Sequence, residues 1–102
     1  MRIFQNYISH KDKNSNIFCE YEELGNACHK AGQLNSESRG LVKLAMAIVI
    51  GSEGAICSNI HRALAENFDS DKLKHVTLSA IPTIGLLKTE AAISWMEDYL
   101  NK

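Results

Sequence analysis

Apolar residues along this chain recur at three- and four-residue intervals and show no sustained period of two. The pattern therefore predicts helices and no sheet. A first helix from about Glu20 to Lys30 places Tyr21, Leu24, Ala27 and Cys28 on one face, and Gly32 offers a stop. Asn35 or Ser36 is placed to cap a second helix, in which Leu41, Leu44, Ala45, Ile48 and Val49 recur at helical spacing. Ala47 and Ile50 widen that apolar arc, which predicts a central helix buried on most sides and broken near Gly51. Ser52 caps a third helix to about Glu66, with Ile56, Ile60, Ala63 and Leu64 inward. Asp69 or Ser70 caps a fourth, Asp71 to about Ala80, with Leu73, Val76, Thr77 and Ala80 inward. Pro82 and Gly85 mark a turn. A last helix, about Leu86 to Leu100, carries Leu86, Ala92, Ile93, Met96 and Leu100 on one side. Trp95 and Tyr99, one turn apart on it, either cover that core or form a subunit interface.

This gives an all-α domain of about five helices over residues 20–102. Residues 1–19 are polar and irregular and read as an N-terminal arm. A chain of 102 residues has room for one domain. Its 11 basic and 12 acidic side chains leave a net charge of -1, without the basic excess that a nucleic-acid binder uses to meet phosphates. The longest apolar run, Leu44 to Ile50, is far short of the roughly 20 residues that cross a bilayer. The first residues lack the apolar stretch of a signal peptide, so a cytoplasmic location is expected.

Candidate chemistry concentrates between Gly51 and His61. Glu53, Cys57 and His61 are spaced i, i+4 and i+8, which stacks them along one flank of a helix. An imidazole beside a thiol helps it lose a proton, and the thiolate is the nucleophile. Cys57 also falls in the second turn, near the positive end of the helix dipole. The plainer reading is a small buried thiol with a surface histidine. The three cysteines, Cys19, Cys28 and Cys57, form no C-x-x-C pair, which suits reduced thiols better than a disulfide framework or a zinc site. His10, His29 and His75 read as solvated side chains. Neither a metal nor a cofactor is expected, and no glycine-rich phosphate loop occurs.

The stretch Ala31-Gly-Gln-Leu-Asn-Ser-Glu-Ser-Arg-Gly-Leu-Val-Lys-Leu-Ala-Met-Ala47, followed by Ala63-Leu64 before a turn at Asn67, resembles the carboxymuconolactone decarboxylase and alkylhydroperoxidase D family. The resemblance runs from Ala31 to Leu100, roughly two thirds of the chain. It implies an all-α fold and a homo-oligomer, a trimer or hexamer. Its peroxidase branch uses a Glu, a Cys-x-x-Cys dithiol and a His to reduce hydroperoxides. Its lyase branch lacks the dithiol, keeps a His and decarboxylates a lactone.

Aligned without insertion, the family Glu falls on Gly40, the two cysteines on Ser52 and Ala55, and the histidine on Asn59. All four are changed, so the dithiol chemistry does not transfer. Cys57 and His61 keep the family's Cys-x-x-x-His spacing two residues later, a rotation of about 200° around the helix. Three readings follow. Cys57 acts as a lone redox thiol toward a hydroperoxide, assisted by His61 and tuned by Glu53. Alternatively, a pocket at Gly40, Ser52, Ala55 and Asn59 binds a small carboxylate or lactone. In the third, the chain is a non-catalytic scaffold.

Overall fold

The computed structural model describes residue 9 and residues 12–101. His10 and most of the predicted arm lie outside the described residues. Among those described, all regular structure is helical: α1 (Ser15–Lys30), α2 (Ser36–Ile50), α3 (Glu53–Ala65), α4 (Ser70–Ser79), α5 (Ile81–Ile84) and α6 (Leu86–Leu100). The α5 helix is a single turn where the sequence predicts only a turn. None of these helices is long and apolar enough to cross a membrane. Contacts divide the chain into two units, with the boundary between Ser36 and Glu37.

The first unit carries α1. It begins at Ser15 rather than at Glu20, so the last part of the predicted arm is helical. Asn14 precedes it without a side-chain cap, and His29 and Lys30 in its last turn suit the negative end of the dipole. None of its residues is buried.

In the second unit the core is built from Leu44 and Ile48 of α2, Ile56 and Ile60 of α3, Leu73 of α4, and Ala92 and Met96 of α6. Each large aliphatic side chain fully withdrawn from water contributes about 1.5–3 kcal/mol. The α3 and α4 helices both pack on α6, and α5 bridges α4 and α6. Trp95 and Tyr99 pack against this core, as the first of their two sequence readings has it.

Helix ends follow local chemistry. Gly51, at φ +78, ends α2 with its N–H on the Ala47 carbonyl at 3.0 Å. Glycine takes this left-handed conformation without a Cβ clash. Ser52 Oγ accepts from the Ala55 N–H at 3.2 Å and starts α3. At the other end of α3, Asn67 is left-handed at φ 64. Its N–H reaches the Leu64 carbonyl at 3.1 Å, and the Phe68 N–H reaches that of Ala63 at 2.9 Å. These two bonds make a Schellman stop, which satisfies carbonyls that the helix leaves open. Asp69 Oδ1 then accepts from the Asp71 N–H at 2.9 Å and caps α4.

Two expectations need correction. The α2 helix is not buried on most sides: Val42, Met46, Val49 and Ile50 are exposed. The apolar arc is as wide as its sequence implies, but only the Leu44, Ala47 and Ile48 side meets the core. Leu86 is also exposed. Thr89, one turn later, is the buried residue instead, with its hydroxyl donating to the Gly85 carbonyl at 2.8 Å. That local bond lets a polar side chain go inside.

Candidate functional site

The packing of α3 on α6 brings three chemically active side chains into one region. Cys57 is buried, with 4% of its surface exposed, because it shares the inward face of α3 with Ile56 and Ile60. One turn later His61 emerges at the surface. Its Nδ1 lies 2.6 Å from the phenol oxygen of Tyr99 on α6, the two rings being edge to face at 85°. Tyr99 is half-buried against the core. Burial, with Cys57 as a second cause, holds its phenol above the usual tyrosine pKa of 10.0. The phenol is therefore protonated at neutral pH, and Cys57 is near enough to act on it.

The arrangement adds one member, Tyr99, to the residues that the sequence brings together. Cys57 and His61 do share a flank of α3, but the group linking their neighbourhood is Tyr99. Glu53 stands exposed in the first turn of α3, one turn before Cys57. The link could not be read from spacing, since His61 and Tyr99 are 38 positions apart. The only sequence signal was that Tyr99 falls beside the inward residues of an amphipathic helix.

The four positions matched to family functional residues have structural roles here. Gly40 lies under Phe68, and a Cβ there would come within 2.6 Å of Phe68 Cε2. A glutamate would have to displace that ring. Ser52 caps α3, Ala55 packs on the core, and Asn59 donates from Nδ2 to the Ala55 carbonyl at 2.7 Å. Ser52 Oγ and one Asn59 N–H are thus engaged within α3.

No disulfide joins the three cysteines: Cys19 and Cys28 are exposed on α1, and Cys57 is buried. Among the described residues, no group of three or more His, Cys, Asp or Glu side chains is placed to hold a metal ion. A separate groove of about 410 Å³ lies between α2 and α4–α5, with Leu41, Val42, Val49 and Val76 among its walls and Lys72 and His75 at its edge. Lys72 Nζ donates to Glu37 Oε1 at 2.7 Å, and that carboxylate raises the lysine pKa.

Comparison with family models, with curated proteins and with solved structures gives no match.

Proposed function

We propose that this chain is a divergent carboxymuconolactone-decarboxylase-like domain whose remaining chemistry is a single redox thiol, Cys57, served by Tyr99 and His61 and directed at small hydroperoxides. One observation carries the reading: the Tyr99 phenol, whose proton burial and the nearby Cys57 both help retain, meets a solvent-facing imidazole at 2.6 Å. The Cys57 thiol first releases its proton to solvent, and the thiolate then attacks the terminal peroxide oxygen and breaks the O–O bond. The products are a sulfenic acid at Cys57 and an alkoxide or hydroxide. Tyr99 supplies the proton that this leaving oxygen needs, and His61 replaces it from solvent. Two equivalents of a small external thiol return the sulfenic acid to the thiol, releasing water and a disulfide. At 4% exposure, Cys57 favours a compact oxidant that enters by small side-chain movements.

The test is single-turnover oxidation of the reduced protein by a small organic hydroperoxide, followed by intact mass. A fast gain of one oxygen that is lost in Cys57→Ser is expected. Oxidation no faster than that of free cysteine overturns the reading.

The structural use of Gly40, Ser52, Ala55 and Asn59 favours a second reading, a scaffold that keeps the helical frame without its catalysis. Under both readings, the resemblance implies that the chain works as a homo-oligomer. Slow oxidation together with a defined assembly would select the scaffold.

A further inference from the structure

The groove of about 410 Å³ beside α2 has no part in the thiol chemistry. All of its walls lie in the second unit, Glu37–Lys102. Its sides are aliphatic: Leu41, Val42, Ala45 and Val49 from α2, with Val76 of α4 and Ala80, which ends that helix. Val42 and Val49 are 41% and 47% exposed. Leu41 and Val49 are eight residues apart, so this side runs about 12 Å at 1.5 Å per residue. Sites for small molecules have volumes of about 300–1,000 Å³, apolar walls and a few polar groups that fix orientation.

A cation marks one end. Lys72 Nζ meets Glu37 Oε1 at 2.7 Å, and Glu37 is one turn before Leu41. The ammonium therefore stands at the Leu41 end of the groove. His75 follows one turn later along α4 and also lines the groove. The Ser79 hydroxyl is spent on the His75 carbonyl at 2.8 Å. Glu37, and Asp69 less strongly, hold the lysine proton in place. An ammonium has three N–H donors, and Glu37 takes one of them. Both partners of that pair are about half exposed, at 53% and 46%, where an ion pair adds little net stability. A second carboxylate can therefore share Lys72 or take it from Glu37. Aliphatic walls with a cation at one end fit a molecule that has an apolar tail and a single terminal anion.

We propose that this groove holds a free medium-chain aliphatic carboxylic acid, its chain between α2 and α4 and its carboxylate at Lys72 beside His75. The proposal is independent of the thiol chemistry and of the homo-oligomeric reading.

The test is calorimetric titration of the full chain with octanoate, kept below the concentration at which it aggregates, and in parallel with octanol. One octanoate per chain is expected, bound more tightly than octanol. Lys72→Met should weaken octanoate binding by about tenfold, the usual worth of a hydrogen bond to a charged group. Glu37→Gln should tighten it, because the competing carboxylate is gone. Ala45→Phe should fill the groove and abolish binding. Lys72 and Glu37 are both exposed, so their opposed effects can be read even where Ala45→Phe fails to fold. An octanol affinity equal to that of octanoate, with no response to Lys72→Met, overturns the proposal. Octanoate binding that survives in folded Ala45→Phe also overturns it by placing the ligand elsewhere. A full chain that does not bind octanoate overturns it too, and assigns the groove to a helix of the same chain or of another.

Discussion

The phenol oxygen of Tyr99 and Nδ1 of His61 stand 2.6 Å apart, joining α6 to α3 one helical turn beyond the buried Cys57. The bond gives each helix a fixed partner near its C-terminal end. It also gives Cys57 a neighbour that holds a proton at neutral pH.

Removing the hydroxyl should slow chemistry more than it loosens the fold. Tyr99→Phe keeps the ring that packs on the core and loses only the proton donor. Single-turnover oxidation should slow by about 10²-fold, the range usual for a positioned acid or base. His61→Ala should slow it less at low pH, where buffer acids can supply the proton. Stopped-flow rates across a buffer series check this, and an unchanged rate in Tyr99→Phe removes Tyr99 from the mechanism.

Alkaline stability should carry the signature of the same phenol. Tyr99 holds its proton to a higher pH when folded than the ordinary value of 10.0. Its contribution is therefore complete below that value and is lost as pH rises through the folded pKa. Urea midpoints should fall above about pH 10 in the wild type, and the fall should shrink in Tyr99→Phe. Ultraviolet titration of the wild type against Tyr99→Phe should place the phenol that the substitution removes above the ordinary value of 10.0.

Gly40 is set by close packing, and Phe68 is its counterpart. Gly40→Ala gains up to about 1 kcal/mol of helix propensity. Pressing into the Phe68 ring costs about 1–3 kcal/mol, so a net loss of stability is expected. In Phe68→Leu the same substitution should cost less. Chemical denaturation of the four members of this cycle measures the coupling, and additive effects would falsify the contact.

Ser52 should act as a cap and nothing more. Ser52→Ala is expected to cost about 1 kcal/mol of stability, through the lost bond to the Ala55 N–H. Oxidation of Cys57 in the folded variant should be unchanged. A large loss of oxidation rate would return this position to the chemistry.

Much of the frame could be read from local pattern. Ser52, Asp69 and Gly51 act where their residue types predict, because capping and left-handed turns are decided within four residues. The inward residues Leu44, Ile56, Ile60, Leu73 and Met96 follow from helical period. The start of α1 did not, because Ser15 to Cys19 carries little apolar period of its own. Nor did the open side of α2, since an apolar arc records hydrophobicity and not what covers it. The site was half legible. Cys57 and His61 are neighbours on one helix, whereas Tyr99 reaches them only through the packing of α6 on α3. The same holds for Gly40, whose constraint comes from a ring 28 positions later in the chain.

The stop at Asn67 therefore works as a corner brace. A single residue in a left-handed conformation turns the chain back on α3 and, through two backbone bonds, hangs the next ring over α2. Lengthening this corner by one residue would leave every helix its own sequence, yet it would swing Phe68 away from Gly40. Insertions between α3 and α4 should thus be poorly tolerated, although the segment is exposed and lies between helices, where added residues are ordinarily accepted.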